Sequence, residues 1–349
     1  MRRCPPRYRD RQFHNSEPSS TLVPGTDVGM FKSMATRGST GRPRQPIPLA
    51  TPLAPAAAGD AAVTWYGHSS VLVEVDGYRV LADPVWSERV SPSATVGPAR
   101  MHPPTPVALT ELPAVDAIVI SHDHYDHLDM ATVKTLTRTQ TAPFVVPIGI
   151  GAHLRHWKVP ENRIVELDWD ESTKIGDLVL TCTEARHFSG RGLVRNTTQW
   201  ASWVFAGPKH RVFFGGDSGY TSRFEQLGET YGPFDLTLLP PVGAYDVRWP
   251  DIHMNPEEAV QTHIDLNKGD GSRGVFVPIH WRRSTSRFTR GRSRSFASTS
   301  RLQMRAQQCR SRCRAAGSTR CHRHRRRSGG YRWAERRSVA DVVACRVAP

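Results

Sequence analysis

SHDHYDHLD (residues 121–129) follows directly on the apolar run VDAIVI (115–120). A short apolar run bounded by polar residues reads as a buried strand. Its end therefore delivers His122, His124, Asp126 and His127 into one loop. Imidazole nitrogen and carboxylate oxygen together suit zinc or another first-row divalent metal. His122 and His124 lie two apart on extended backbone and share a face, whereas Asp126 and His127 come next in a turn and can address a second ion. One ion does not need four ligands from a single loop, so the spacing points to a two-metal centre. Histidine alone is weak evidence in a chain with 15 of them. Three of them crowded at one strand end with Asp123, Asp126 and Asp129 are different, because without a cation they would repel and desolvate one another.

At 349 residues the chain has room for one large domain or two small ones. A hydrophobic fraction of 38% and 27 prolines imply that part of it lies outside any packed core. No apolar stretch reaches the roughly 18–20 residues needed to cross a bilayer, and no amino-terminal segment has a secretory apolar core. The expectation is a soluble, cytoplasmic protein. Cys4 and Cys182 are the only cysteines before residue 282 and form no disulfide framework, which suits a reducing compartment. The formal charge of +15 is concentrated: residues 282–349 hold 20 arginines, no lysine and two acids, or +18, which leaves −3 for the rest.

The chain divides into three regions. Residues 1–60 are rich in Pro, Ser, Arg and Ala without periodicity and read as a disordered leader, with Met30 and Met34 as alternative starts. Residues 61–281 carry the folded pattern. Strands are expected at 63–66, 70–75 and 78–82, with Asp76-Gly77 as a two-residue hairpin turn. Further strands are expected near 115–120, 143–147, 163–168, 178–184, 199–206, 211–215, 235–239 and 274–279. Helices are expected over 129–139, 149–157, 222–230 and 255–266, the last opening on Asn255-Pro256-Glu257-Glu258. Hairpins precede αβ alternation, which favours two sheets flanked by helices over a doubly wound sheet. Residues 282–349 read as an Arg-rich disordered tail. The abrupt loss of lysine and of aliphatic periodicity after PIHW (278–281) is what out-of-frame translation of a GC-rich coding sequence produces. A genuine tail would be a basic arm for nucleic acid or anionic lipid, with salt-sensitive binding. Nucleic acid is not the expected partner.

A second ion needs ligands from elsewhere. His187 follows the 178–184 run, Asp217 follows VFFGG (212–216), and His280 ends VFVPI (275–279). All three stand at strand ends, where a rigid sheet presents functional groups. HDHYDH, His187, GGDSGY with Asp217 and PIHW with His280 together resemble the metallo-β-lactamase superfamily of binuclear metallohydrolases. The finer likeness is to the N-acylphosphatidylethanolamine-hydrolysing phospholipase D branch and its bacterial relatives. It rests on TWYGHSS (64–70), LADPVWSERVSP (81–92), GPARMHPP (97–104), RHFSGRG (186–192) and HMNPEEAVQTH (253–263), and spans roughly residues 61–281.

The resemblance implies an α+β fold, a four-layer αββα sandwich with the metals at one edge of the sheets. It also implies two zinc ions or other first-row divalent metals. His122, His124 and His187 would hold one, Asp126, His127 and His280 the other, and Asp217 would bridge them. Asp126, Asp217 and His253 are then the candidate catalytic residues, His253 near a substrate phosphate. His68 and His263 match family positions with a supporting or packing role. The implied reaction uses a metal-bridging hydroxide to cleave a phosphodiester, with an N-acylphosphatidylethanolamine-type phospholipid as substrate, peripheral membrane contact, and a homo-oligomer compatible with the sequence. The same site could open a lactone or cleave a nucleotide phosphodiester, since the fold hosts many reactions. Ser218, in GGDSG, lacks the context of a nucleophile elbow. Met101, Trp86, Trp200, Trp203 and Tyr245 are candidates for an apolar channel. The chain departs from the family after His280, so the fold is expected to be incomplete there. If the tail is a genuine translated segment, the expectation is a poorly held His280 and fewer than two ions, or an inactive member with a basic tail.

Overall fold

In SVLVEV (70–75), Val71, Val73 and Val75 enter one core while Leu72 enters another, so this strand is covered on both faces. The same alternation recurs in both sheets of a computed structural model that describes residues 7–21, 57–93, 95, 107–241, 249–280 and 344–346. The first strands are β1 (Tyr8–Arg9), β2 (Gln12–Phe13), β3 (Ala61–Gly67), β4 (Ser70–Val75), β5 (Tyr78–Ala82), β6 (Ala117–Val119), β7 (Phe144–Pro147) and β8 (Ile164–Leu167). The later ones are β9 (Ser172–Ile175), β10 (Leu178–Thr183), β11 (Ser202–Ala206), β12 (Arg211–Phe214), β13 (Leu236–Leu239), β14 (Val275–Pro278) and β15 (Ala344–Arg346). The helices are α1 (Met130–Thr139), α2 (Ile150–His156), α3 (Arg223–Tyr231) and α4 (Pro256–Leu266).

One sheet has the order β15-β3-β4-β5-β6-β7-β8 and the other β14-β13-β12-β11-β10-β9. Val73, Val80, Val119 and Val145 of the first meet Leu180, Trp203, Phe214 and Leu238 of the second in the inner core. Leu81, Ile118, Phe144 and Val146 face outward onto Val133, Leu136 and Leu154 of α1 and α2. Val204, Phe213 and Leu239 face outward onto Phe224, Leu227 and Leu266 of α3 and α4. This is the four-layer αββα sandwich that the resemblance implied.

Local chemistry sets the boundaries. Asp76 and Gly77 both have positive φ (46° and 87°) in a turn that pairs Val75 with Tyr78, as a tight hairpin requires. Asp129 caps α1 by accepting from the Ala131 N–H, and Asn255 and Glu258 form a reciprocal capping box on α4.

The leader does not match its expected disorder. Residues 7–21 carry the β1–β2 hairpin, and Phe13 is buried in the inner core. The segment attaches by single anchors and polar bonds to distant loops, a mode that needs no periodicity. The remainder of 1–60 lies outside the described residues, apart from 57–60. Within the 282–349 tail, Ala344–Arg346 pairs antiparallel with β3 after the β-branched pair Val342-Val343; the rest of the tail lies outside the described residues.

Asp76 also ties the sheets together at the end opposite the histidine loop. Its carboxylate accepts from the Lys209 and His210 backbone N–H groups (2.7 and 2.9 Å) and from His210 Nδ1–H (2.6 Å), in the β11–β12 turn. Burial acts to raise the Asp76 pKa, but the bonds from His210 and Lys209 outweigh it and hold it below the usual carboxylate range. Asp76→Ala removes these bonds and places alanine at positive φ. Urea denaturation should show a loss of about 2–3 kcal/mol. A loss of a few tenths would mean that the clamp carries no stability.

Candidate metal centre

Parallel pairing brings the carboxyl ends of β5, β6, β12 and β14 to one edge, and β10 runs the same way as β12. Asp83 follows β5, the 121–129 loop follows β6, His187 follows β10, Asp217 follows β12 and His280 follows β14. All seven residues expected to hold metal meet there. His122 Nε2 lies 2.8 Å from His124 Nδ1, and His187 Nε2 lies 3.4 Å from the same atom. His280 Nε2 stands 3.1 Å from His127 Nε2 and 3.8 Å from Asp126 Oδ2. Asp217 Oδ2 is 3.2 Å from His280 Nε2, 3.4 Å from His127 Nε2 and 3.9 Å from His187 Nε2. One carboxylate oxygen thus borders both sets of donors.

The outward-facing ring nitrogens fix the tautomers. His127 Nδ1–H donates to Asp83 Oδ2 (2.7 Å) and His187 Nδ1–H to the Ile252 carbonyl (3.0 Å). Ser121 Oγ donates to Asp83 Oδ2 and so accepts from His122 Nδ1–H (2.9 Å). Each ring spends its Nδ1–H outward and turns Nε2 inward, the arrangement of a metal-ligating histidine. Ligand atoms 2.0–2.1 Å from a tetrahedral ion stand about 3.3 Å from one another, close to most of the spacings here. The donor set fits small divalent cations.

Electrostatics agree. Burial pushes His122 and His187 well below the ordinary imidazole range, so both are neutral. Burial opposes the ionisation of Asp217, but His280 and His127 outweigh it and hold the carboxyl well below its usual range. His127 goes the other way: burial would lower it, yet Asp217 and Asp83 raise it well above 6.5. Without a cation, a proton takes the position between these carboxylates.

Residues 78–281 match the family described as "Beta-lactamase superfamily domain". The chain belongs to the beta-lactamase superfamily. It is 57% identical over 279 residues to an uncharacterized protein of Mycobacterium tuberculosis, covering 79% of this chain and 74% of that one. It is 38% identical over 230 residues to the N-acyl-phosphatidylethanolamine-hydrolyzing phospholipase D 1 of Caenorhabditis elegans, covering 62% of this chain and 63% of that one. A solved metallo hydrolase from the archaeon Ignicoccus hospitalis superposes with a TM-score of 0.50 at 23% identity, over 69% of this chain and 91% of that one. This last likeness concerns the fold alone. The chain is a metallo-hydrolase of the beta-lactamase superfamily, and no helix among its described residues is long and apolar enough to cross a membrane.

This beta-lactamase superfamily member holds its ligands with groups to which the sequence reading assigned no role. Asp83, fully buried at positive φ, accepts from Ser121 N, Ser121 Oγ and His127 Nδ1; its only local signal is the Asp-Pro that ends β5. Arg191 Nη1 donates to the Asp123 and Leu128 carbonyls while its guanidinium lies 3.9 Å over the Tyr125 ring, bracing the histidine loop. Asn15 donates to the His187 carbonyl (2.8 Å) and accepts from the His187 N–H (3.1 Å), across 172 positions. The glycines before Asp217 let its loop approach the histidine loop. Gly216 has φ +56°, and an added Cβ would stand 2.6 Å from Ser121 Cβ.

The other expected residues take varied positions. His253 borders the centre, with Nδ1 4.0 Å from Asp217 Oδ2. His263 bonds Thr237 and Asn267 inside the α4 layer, and Ser218 Oγ makes loop hydrogen bonds to Gly219 and Arg186. The apolar channel is not supported by Trp200 and Trp203. Both are core residues, with their indole N–H groups spent on Ala185 and Ile120 carbonyls. Trp86 packs on Tyr66, and Met101 and Tyr245 lie outside the described residues. His280 is held, contrary to the expectation from the altered sequence after it: it is buried and donates its backbone N–H to the His68 carbonyl.

This geometry makes two measurements decisive. A divalent cation must displace the proton from His127, so zinc affinity should fall as the pH drops. Calorimetry in buffers of different ionisation enthalpy should find about one proton released per chain near pH 7; none released would contradict a protonated His127. Asn15→Ala leaves both backbone groups of His187 unpaired. It should weaken zinc binding about tenfold and lower stability by about 1–3 kcal/mol; a chain begun at Met30, which also lacks the buried Phe13, should lose at least as much of both. Unchanged zinc affinity would separate the leader from the centre.

Proposed function

We propose that this centre holds two zinc ions and hydrolyses a phosphodiester, with an N-acylphosphatidylethanolamine-type phospholipid as the substrate class. The observation that carries the reading is Asp217, whose single inward oxygen borders the His122–His124–His187 donors on one side and the Asp126–His127–His280 donors on the other. When bound, a pair of divalent ions supplies water of lowered pKa and stabilises charge on phosphoryl oxygens.

The side chains supply the rest. Asp217 would bridge the ions. His122, His124 and His187 would hold one, and Asp126, His127 and His280 the other, in rings whose tautomers are set from behind. His253 stands beside them, and burial brings its pKa to about 4, so it is neutral at physiological pH. Its Nδ1 has no hydrogen-bond partner among the described residues. A neutral imidazole so placed can bond a phosphate oxygen and orient the diester without repelling the cations.

The phospholipid reading draws support from the similarity to the Caenorhabditis elegans enzyme. It also draws on the loop after His187. Gly190 and Arg191 of that loop bond Asp123, yet Leu193 is wholly exposed and Val194 is 62% exposed. An exposed apolar pair beside the centre, followed by the exposed Arg195, suits insertion into the interface of an anionic bilayer.

The test is hydrolysis of N-acylphosphatidylethanolamine in vesicles, of bis(4-nitrophenyl) phosphate in solution, and of a lactone. Asp217→Ala should reduce diester turnover by about a thousandfold or more. Turnover of the lactone alone would overturn the phosphodiester assignment. Leu193→Asp with Val194→Asp should cut vesicle hydrolysis about tenfold or more by removing apolar insertion, with the soluble diester unaffected. Equal loss on both substrates would place the loop in folding rather than in lipid contact.

A further inference from the structure

His68 sits in the Gly67-His68-Ser69 link between β3 and β4, at an irregularity in their pairing. Its φ is +53° and its side chain is buried. Left-handed backbone at a non-glycine residue costs roughly 1–2 kcal/mol and persists where the surroundings over-determine it. Glycine would fit that backbone without strain, and an apolar side chain would fill that volume without burying a polar ring. Packing alone does not account for histidine here.

Its contacts all fall on one half of the centre. Nε2 lies 3.1 Å from Asp126 Oδ2. The ring lies against that of His280, with centroids 3.7 Å apart, and edge-on to His127 at 5.4 Å. The His68 carbonyl accepts from the His280 backbone N–H (2.8 Å) and from Trp65 Nε1–H (2.8 Å), which anchors the link to β3. The side-chain donor atoms of His68, Asp126, His127 and His280 form one cluster within 4.8 Å. Asp126, ionised, has only oxygen acceptors to offer. The 3.1 Å bond therefore requires the proton on His68 Nε2, and the nitrogen that faces the cluster is spent as a donor.

We propose that His68 is a positioning residue for the ion that Asp126, His127 and His280 would hold, the outer ion: its Nε2–H aims the Asp126 carboxylate, while its ring and carbonyl hold His280. This rests on the two-zinc reading above. His68 does for the outer ligands what Asp83, Ser121 and the Ile252 carbonyl do for His127, His122 and His187. It acts from inside the cluster, where its Nε2 reaches Asp126 Oδ2 directly. Groups that orient metal ligands typically govern about 10–100-fold in metal affinity.

The test is zinc titration of the full chain against a chromophoric chelator, with elemental analysis after gel filtration. Glutamine and methionine have similar length, but only glutamine carries an N–H donor. His68→Met should bind the first zinc with wild-type affinity and the second at least about tenfold more weakly, and His68→Gln should restore the second to within about threefold. Wild-type affinity for the first ion reports that the variant is folded. If His68→Met fails to fold, His68→Asn tolerates positive φ, falls short of Asp126 and should show the same selective loss. Cobalt substitution gives a readout independent of turnover: the second equivalent should lose visible absorbance in His68→Met and keep it in His68→Gln. Two tight ions in both the wild type and His68→Met would overturn the role of His68 alone. Fewer than two ions in the wild type would overturn the two-zinc reading and this role together.

Discussion

His127 has a carboxylate at each ring nitrogen, and no part of its side chain reaches solvent: Asp83 Oδ2 lies at Nδ1 and Asp217 Oδ2 at Nε2. Asp83 belongs to one sheet of the sandwich and Asp217 to the other, so this imidazole is the joint at which the two sheets meet beside the site. Two buried carboxylates around one neutral ring would be expensive, because charge removed from water must be compensated locally. A proton at Nε2 compensates in part. A divalent cation bound at Nε2 would compensate more fully. Holding metal and closing the sandwich at this edge are therefore one physical problem with one solution.

The sheets alone would not fix donor atoms to within a few tenths of an ångström, since every ligand stands on a loop beyond a strand end. Polar bonds to the loop backbones supply the precision. Arg191 satisfies two carbonyls of the histidine loop, Asn15 both backbone groups of His187, and Ser121 links His122 to Asp83. Gly216 lets the Asp217 loop approach Ser121 closely enough for the two sheets to share the site. The apolar layers set where the edge is, and the polar bonds set where each nitrogen points.

Much of this was legible beforehand, for physical reasons. Strands buried on both faces must be apolar and β-rich, so 70–75, 143–147 and 235–239 announced themselves. The cap at Asn255 and the Asp76-Gly77 turn are local chemistry that a sequence displays in full. HDHYDH was legible because no other arrangement tolerates such crowding. The features that stayed hidden are non-local. Asn15 and His187 are partners across 172 positions, Asp83 resembles an ordinary strand-ending Asp-Pro, and β9 is a four-residue, half-exposed edge with a weak apolar signal. Aromatic type misled as well: Trp200 and Trp203 suit a lipid channel, yet the inner core needs large side chains between the sheets and took both.

The placement of His280 bears on how much of the chain the centre needs. In sequence it is the last ligand, immediately before the composition turns to arginine, which made its support doubtful. Its ring and backbone are instead held by His68, and His68 is held through Trp65 by β3, at the opposite end of the folded region. β3 lies beside β4 in the first sheet, whereas β14, which delivers His280, is the edge strand of the second. The outer ligand is thus gripped across the sheets by elements that precede the whole histidine constellation. A ligand held from upstream does not rely on the residue that follows it in sequence for its ring and backbone contacts. The described residues up to His280 therefore form a ligand set that is geometrically closed, whatever the Arg-rich segment contributes.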